Sequence, residues 1–323
     1  MLIFEVRIPT YNRPDLLRRA IESLQAQTYP HWTATVYDDA SSGEEVVRSI
    51  SDGRIRYQRN SPRLGACANI DQCFSSAPTL SGHYGYVLED DNFLLPGFLS
   101  LMVRHLSEKP WQLIQANQRI WSKERGLHPE SETTRGLWFR PGEMSPLHLQ
   151  ASLLFMEGLS NGGMIWKLAG ACNFQVGPSV QHFGIQEACR TLLVKAPFLF
   201  VEEPLAVFNF MPRSETARGG ENDRSLGRGL QSIRRFILES SPEVIESLPQ
   251  KQNLQDQVVS LLAHSGYPHL VRGRKRLSQP ILKAYLKGIA LRLTQPDPCR
   301  SFLAGLKASS SGTAYVPAKP IES

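Results

Sequence analysis

Short β-rich runs alternate with segments of helical periodicity from "LIFEVRI" near the amino terminus to "WQLIQANQRI". This alternation restricts the architecture more than any other feature. A strand–helix–strand repeat predicts an α/β fold, a mostly parallel sheet with helices on both faces. Within it, "RPDLLRRAIESLQAQ" places Leu16, Leu17, Ala20, Ile21 and Leu24 on one helical face. Asn12 stands where a helix cap is expected, and Pro14 fits the first turn. "TATVYDD", "RIRYQRN" and "YGYVLE" read as further strands, and "EEVVRSI", "GACANIDQCFSSA" and "LPGFLSLMVRHLSE" as helices.

In such sheets ligands bind beyond the carboxyl ends of the strands. Two acidic clusters, "YDDASS" and "LEDDN", fall where a strand has just ended, so both are expected to face one crevice. Glu89, Asp90 and Asp91 stand side by side between two apolar runs. Like charges at this spacing repel, and charges near a core lose solvation. A hard divalent cation offsets both costs. Mg2+ or Mn2+ takes one or two carboxylates, keeps several waters and completes its shell with phosphate oxygens. Solvated loop acids are the plain alternative. Asp38 and Asp39 close the second strand, and Thr10, Tyr11 and Asn12 close the first. A carboxylate there can accept a nucleobase N–H, and a tyrosine can stack on the base. For Asp39 alone, a helix-cap or turn role competes equally.

The chain has 323 residues, enough for one large α/β domain and an extension. Its 41% hydrophobic and 20% charged content describes an ordinary globular protein. The formal net charge of +6 suits an anionic ligand or membrane surface without demanding nucleic acid. Cys67, Cys73, Cys172, Cys189 and Cys299 are dispersed without a C-x-x-C pair, which argues for core residues in a reducing cytoplasm rather than disulfides or zinc. No apolar run approaches a membrane span, and Glu5 and Arg7 come too early for a secretory signal.

From about Lys123 to Leu159 the pattern weakens, as in long loops over a site. "GIQEACRTLLVKA" then reads as helix and "FLFVEEPLAVFNF" as strand. "MPRSETARGGENDRSLGRG" is a polar, glycine-rich loop, and beyond it the chain reads as helical up to a tail of disordered composition. These boundaries suggest an α/β domain over 1–222, a helical extension over 223–307 and a disordered tail over 308–323.

"VRIPTYNRPDLLRRAIESLQAQTYPHWTATVYDDAS" resembles the opening of the family 2 glycosyltransferases, and "YVLEDDNFLLPGFL" resembles their D-x-D region. "NGGMIWK", "GIQEACR" and "FVEEPLAVFN" are similar to the acceptor-side half, so the resemblance covers roughly residues 3–215. It implies a GT-A fold, a nucleotide-diphosphate sugar (UDP preferred), a divalent cation and inversion at the anomeric carbon. It also implies nucleotide contacts from Pro9, Thr10, Tyr11, Arg13, Asp39, Arg63 and Asp90, and metal ligation by Asp91 with Glu89 as a weaker candidate. Gly162 and Gly163 become diphosphate or acceptor candidates.

Inverting transfer needs a base for the acceptor hydroxyl. Where many relatives carry an aspartate, this chain has "HFGIQEACR", so Glu187 is the nearest acid. An alternative alignment puts Gly184 at that position, leaving no base or giving the work to His182. Arg213 and Arg218, on the glycine-rich loop, could close over a diphosphate or be merely solvated. His128 and His182 could ligate metal or bind acceptor, against a structural role. From Gln257 to Pro296 there is no acid, and the basic residues of 272–292 could meet a membrane surface, a partner or only solvent. Aromatic interleaving is absent, so nucleic acid is disfavoured. The rival functions are a nucleotide-sugar binder lacking a base, and nucleotidyl transfer. The latter is disfavoured because "IPTYNRPD" has neither glycine nor lysine.

Overall fold

The computed structural model describes residues 1–136, 138–155, 157–170, 172–211, 223–245 and 279–310. The chain divides into two compact units. The first comprises 1–146, 159–175 and 193–219; the second comprises 147–158, 176–192 and 220–323.

The first unit begins with β1 (Phe4–Thr10), α1 (Pro14–Gln25), β2 (Trp32–Asp38), α2 (Gly43–Ile50), β3 (Ile55–Arg59), α3 (Ala66–Gln72) and β4 (Tyr84–Val87). It continues with β5 (Phe93–Leu94), α4 (Phe98–Glu108), β6 (Leu113–Ser122), β7 (Gly126–Leu127), β8 (Gly142–Met144), β9 (Met164–Lys167) and β10 (Phe198–Phe210). All strands join one sheet of order β3-β2-β1-β4-β9-β6-β10-β5, with β7 on β6 and β8 on β10. The long ladders, β1 with β2, β2 with β3 and β6 with β10, are parallel, as the alternation predicts. The departures are β9, antiparallel between β4 and β6, and the short β5, β7 and β8, antiparallel on β10, β6 and β10 respectively.

Leu17, Ala20, Ile21 and Leu24 are the buried face of α1, and Pro14 occupies its first turn. Asn12 is not its cap. Arg13 takes that position without a side-chain cap bond, and Asn12 sits at φ 53, where it turns the chain between Tyr11 and Arg13. Between 123 and 159 the chain is less irregular than expected, since β7, β8 and α5 (Pro146–Leu154) fall there.

Every residue of β1 is buried. Phe4, Val6 and Ile8 enter the apolar core, while Glu5 and Arg7 point to the other face and are also fully buried. The Arg7 guanidinium lies 2.7 Å from Glu5 Oε1 and also donates to the carbonyls of Cys73, Ser75 and Ala77. Glu5 in turn accepts from the Thr79 hydroxyl and the Thr79 and Leu80 amides. Burial raises the Glu5 pKa, but the bonds from Thr79, Arg7 and Leu80 together outweigh it and leave the carboxyl below its ordinary value.

The second unit contains α5, α6 (Phe183–Leu193), α7 (Asp223–Ser240), α8 (Gln279–Thr294) and α9 (Arg300–Ser310). It therefore takes in 147–158 and 176–192 together with the carboxyl-terminal helices, instead of starting at 223. Arg234 on α7, buried and held down to about 10 by that burial, donates to the Leu154 carbonyl at the end of α5. Residues 308–310 belong to α9 and not to a disordered tail; the remainder of that tail lies outside the described residues.

Candidate functional site

The strand order β3-β2-β1-β4 reverses direction at β1, because β2 and β3 lie on one side of it and β4 on the other. Such a reversal parts the loops and opens a crevice at the carboxyl ends of the strands. The carboxyl ends of β1, β2 and β4, with the loops that follow them, carry Thr10 to Arg13, Asp38 to Asp39, and Glu89 to Asn92. Both acidic clusters are thus at one end of adjacent strands. Thr10 joins them, since its carbonyl accepts the Asp39 N–H at 3.0 Å and its hydroxyl donates to Asp90 Oδ2 at 2.8 Å.

Asp90 and Asp91 are both buried. Arg13 lies between their carboxylates, 3.2 Å from Asp90 Oδ1 and 3.0 Å from Asp91 Oδ2. Arg19, on α1, donates to the Asp91 carbonyl at 2.6 Å. Its guanidinium lies 4.9 Å from the Phe93 ring centre and 5.0 Å from that of Trp121. Burial lowers the Arg19 pKa, while Asp91 and Asp90 pull it back up. Two arginines therefore offset the charges of Asp90 and Asp91, while the third adjacent acid, Glu89, is half-buried.

The two acids after β2 have separate tasks. Asp38 accepts from the Ala40 and Gly43 amides at 2.8 Å each and from the Tyr57 hydroxyl at 3.1 Å, so it anchors the start of α2. Burial, with Asp38 beside it, pushes Tyr57 up to about 12. Asp39 accepts from the Leu64 and Gly65 amides at 2.7 Å each and from Asn60 Nδ2 at 3.1 Å. Gly65 holds φ at +83, which a side chain would strain. This turn carries Arg63 Nε to 3.5 Å from Asp39 Oδ2 and its guanidinium to 4.0 Å from the Tyr11 ring centre. Tyr11 remains 36% exposed. Pro9 lies in β1, paired with Tyr37 of β2. Asn69 ties the same corner together by donating to the Thr10 and Tyr37 carbonyls and accepting from Asn60.

Gly162 and Gly163 are buried. The Gly162 carbonyl accepts from the Tyr86 hydroxyl at 2.8 Å. A Cβ on Gly163 would lie 2.1 Å from Gln115 Nε2 and 2.3 Å from the Ala116 carbonyl oxygen, so this glycine is required by close packing on β6. Asn92 turns its Oδ1 to the Asn209 amide at 3.0 Å. His128 is buried between Ser122 and Glu132, at 3.0 and 2.8 Å, and holds β6 to the loop that follows it.

Glu187 and His182 belong to the second unit. Glu187 is half-buried on α6, and its carbonyl accepts from the Thr191 hydroxyl. His182 is buried just before that helix, and its carbonyl receives the Ile185 and Gln186 amides. Arg213 and Arg218 lie outside the described residues, as do the basic residues 272–276. Arg19, Asn60 and Asn69 are the site residues that sequence reasoning misses. The available signal was weak, namely polar residues on a predicted helix or strand end, facing a loop already assigned to the site. Among the described residues no group of three or more His, Cys, Asp or Glu side chains is placed to hold a metal. No helix among them is long and apolar enough to cross a membrane.

Comparison with known proteins agrees with this geometry. Residues 5–161 match the model of "Glycosyl transferase family 2". The chain is 29% identical over 150 residues to the putative colanic acid biosynthesis glycosyl transferase WcaA of Escherichia coli, a match covering 43% of this chain and 53% of that protein. It is 35% identical over 108 residues to the Campylobacter jejuni GalNAc(5)-diNAcBac-PP-undecaprenol beta-1,3-glucosyltransferase, covering 32% of this chain and 34% of that one. The matches thus span about half or less of these relatives' own lengths. Among solved structures, that of Staphylococcus aureus TarS 1-349 in complex with UDP superposes with a TM-score of 0.53 at 13% identity, covering 99% of this chain and 95% of that one, a likeness of fold. Residues 5–161, carried on a GT-A sheet whose strand ends gather Thr10, Asp39, Asp90 and Asp91, are thus a family 2 glycosyltransferase segment.

Proposed function

We propose that the protein is a metal-dependent inverting glycosyltransferase that moves a sugar from a nucleotide-diphosphate donor, with uridine diphosphate as the preferred carrier, to an acceptor hydroxyl. The observation that carries this reading is the Thr10–Asp90–Arg13–Asp91 cluster at the reversal point of the sheet. Tyr11 and Arg63 form an exposed cationic and aromatic platform next to it, suited to a nucleobase. Asp39 holds that platform in place. One lone pair on its Oδ2 is left for a base N–H, shared with Arg63.

Asp90 and Asp91 form a donor set of hard oxygens that fits Mg2+ or Mn2+, cations that need one or two carboxylates and take the rest of their shell from water and phosphate. When bound, such an ion stabilises charge on the departing diphosphate. Arg13 and Arg19 add fixed positive charge beside the same carboxylates. In the transfer the acceptor oxygen bonds to the anomeric carbon as the bond from that carbon to the diphosphate breaks. The acceptor proton passes to Glu187, with His182 as the alternative base. Replacing Glu187 by Gln then lowers turnover by about 10²–10⁴-fold while donor binding persists.

The test is a thermal-shift screen of UDP, GDP and dTDP with and without Mn2+. A stabilisation by one nucleotide that grows with Mn2+ and disappears in Asp91→Asn supports the reading. Equal shifts in wild type and Asp91→Asn, or full donor turnover in excess chelator, would remove the metal from it.

A further inference from the structure

The helical unit contains a cavity of about 350 Å³ whose walls include Arg228, Arg235, Arg292, Arg300 and Lys307. Only Glu239 and Asp297 oppose them there. Glu239 is shared by Arg235 at 2.7 Å and Lys307 at 3.2 Å, and Asp297 lies 3.4 Å from Arg228 and accepts from Ser232. Arg292 and Arg300 have no ion-pair partner among the described residues. Arg228 Nε is buried without a hydrogen-bond partner, leaving a further donor unspent on the wall. Burial lowers the Arg228 pKa; Asp297 opposes this, and the nearby Arg292 and Arg300 push it lower still. An excess of guanidinium groups around a recess is the arrangement that recognises phosphate oxygens.

The same wall leads to an apolar stripe. On α8, Leu282, Leu286 and Leu293 are exposed and follow at intervals of four and seven residues, so they share one face. Gly288 is turned the other way, its carbonyl held by Gln231 of α7 at 2.8 Å. Lys283 and Lys287 flank the leucines and are exposed, and Arg292 of this helix reaches the cavity. Leucines bordered by cations on one helix match an anionic lipid surface in both polarity and charge.

We propose that the cavity between α7, α8 and α9 binds the phosphate headgroup of an anionic lipid, with the Leu282–Leu286–Leu293 face lying in the lipid interface. The site does not depend on the transfer chemistry and is testable without it. The full-length chain is sedimented with phosphatidylcholine vesicles with and without phosphatidylglycerol. Expected are salt-sensitive pelleting only with phosphatidylglycerol, competition by millimolar inorganic pyrophosphate, and at least about tenfold weaker pelleting of Arg292→Glu/Arg300→Glu. Leu286→Asp should weaken pelleting while leaving the pyrophosphate competition intact. Far-UV dichroism and melting temperature report folding; if the charge reversal unfolds the chain, Arg292→Gln/Arg300→Gln replaces it. Undiminished pelleting of a folded pocket variant overturns the proposal. So does a pyrophosphate-induced thermal shift without vesicle binding, which marks a free-phosphate site, or binding to duplex DNA in preference to vesicles.

Discussion

Arg13 stands 3.0 Å from Asp91 and occupies the side of the carboxylate pair that a divalent cation would also seek. The same guanidinium reaches Asp90 at 3.2 Å. An internal cation of this kind makes two buried, adjacent acids tolerable before any ligand arrives, and under the proposed metal dependence it would have to be shared or displaced. Arg13→Ala is therefore expected to tighten Mn2+ binding measured in the absence of nucleotide by about fivefold, corresponding to ~1 kcal/mol of relieved competition. Titration calorimetry reads this directly. Weaker Mn2+ binding in the variant would mean that Arg13 organises the pair and does not compete for it.

The Tyr11 and Arg63 pair makes a second prediction. Its 4.0 Å stacking leaves the ring over a third exposed. Tyr11→Ala should weaken nucleotide binding by roughly 1–3 kcal/mol, the range for one base on an aromatic face. Tyr11→Phe should bind nearly as well, because the stacking face survives. An isothermal titration with the preferred nucleotide separates the two.

Arg7→Met tests the buried pair on β1. With Arg7 gone, Glu5 remains fully buried without its guanidinium, and the cost is about 3–5 kcal/mol by urea denaturation. The pH dependence has a defined sign. The folded pKa of Glu5 lies below the ordinary carboxylate value, so its stabilisation is present in full above that value, about 4.3, and is lost as pH falls through the lower folded pKa. Glu5→Gln should flatten that part of the acid limb, and an unchanged slope would assign acid unfolding to other groups.

Gly163→Ala places a methyl group 2.1 Å from Gln115 Nε2 and 2.3 Å from the Ala116 carbonyl oxygen. Since backbone is one of the two obstacles, the 161–163 turn must shift away from β6. A loss of about 1–3 kcal/mol follows, seen as a lower melting temperature. Wild-type stability would show that the 161–163 turn can move away from β6 at no cost.

Much of the fold is legible from local chemistry. Leu17, Ala20, Ile21 and Leu24 announce α1, and "LIFEVRI" and "TATVYDD" announce β1 and β2, because one buried face imposes a period that few residues suffice to display. β9 is not legible. "MIWK" is too short to show alternation, and only its pairing with β4 on one side and β6 on the other makes it a strand. Arg18 and Arg19 are adjacent and indistinguishable in sequence. Arg19 alone meets the Asp91 carbonyl between Phe93 and Trp121, partners more than seventy residues away in the chain.

The placing of acids just after strands is a local property, readable because a strand must end before its loop can turn over the edge of the sheet. What each acid does there depends on segments distant in sequence. Asp38 is spent on α2 and Tyr57, Asp39 on the Leu64–Gly65 turn, and Asp90 and Asp91 share Arg13. Hydrogen bonds are directional and a carboxylate has few lone pairs, so only the folded arrangement of those distant donors determines which oxygens remain for a ligand.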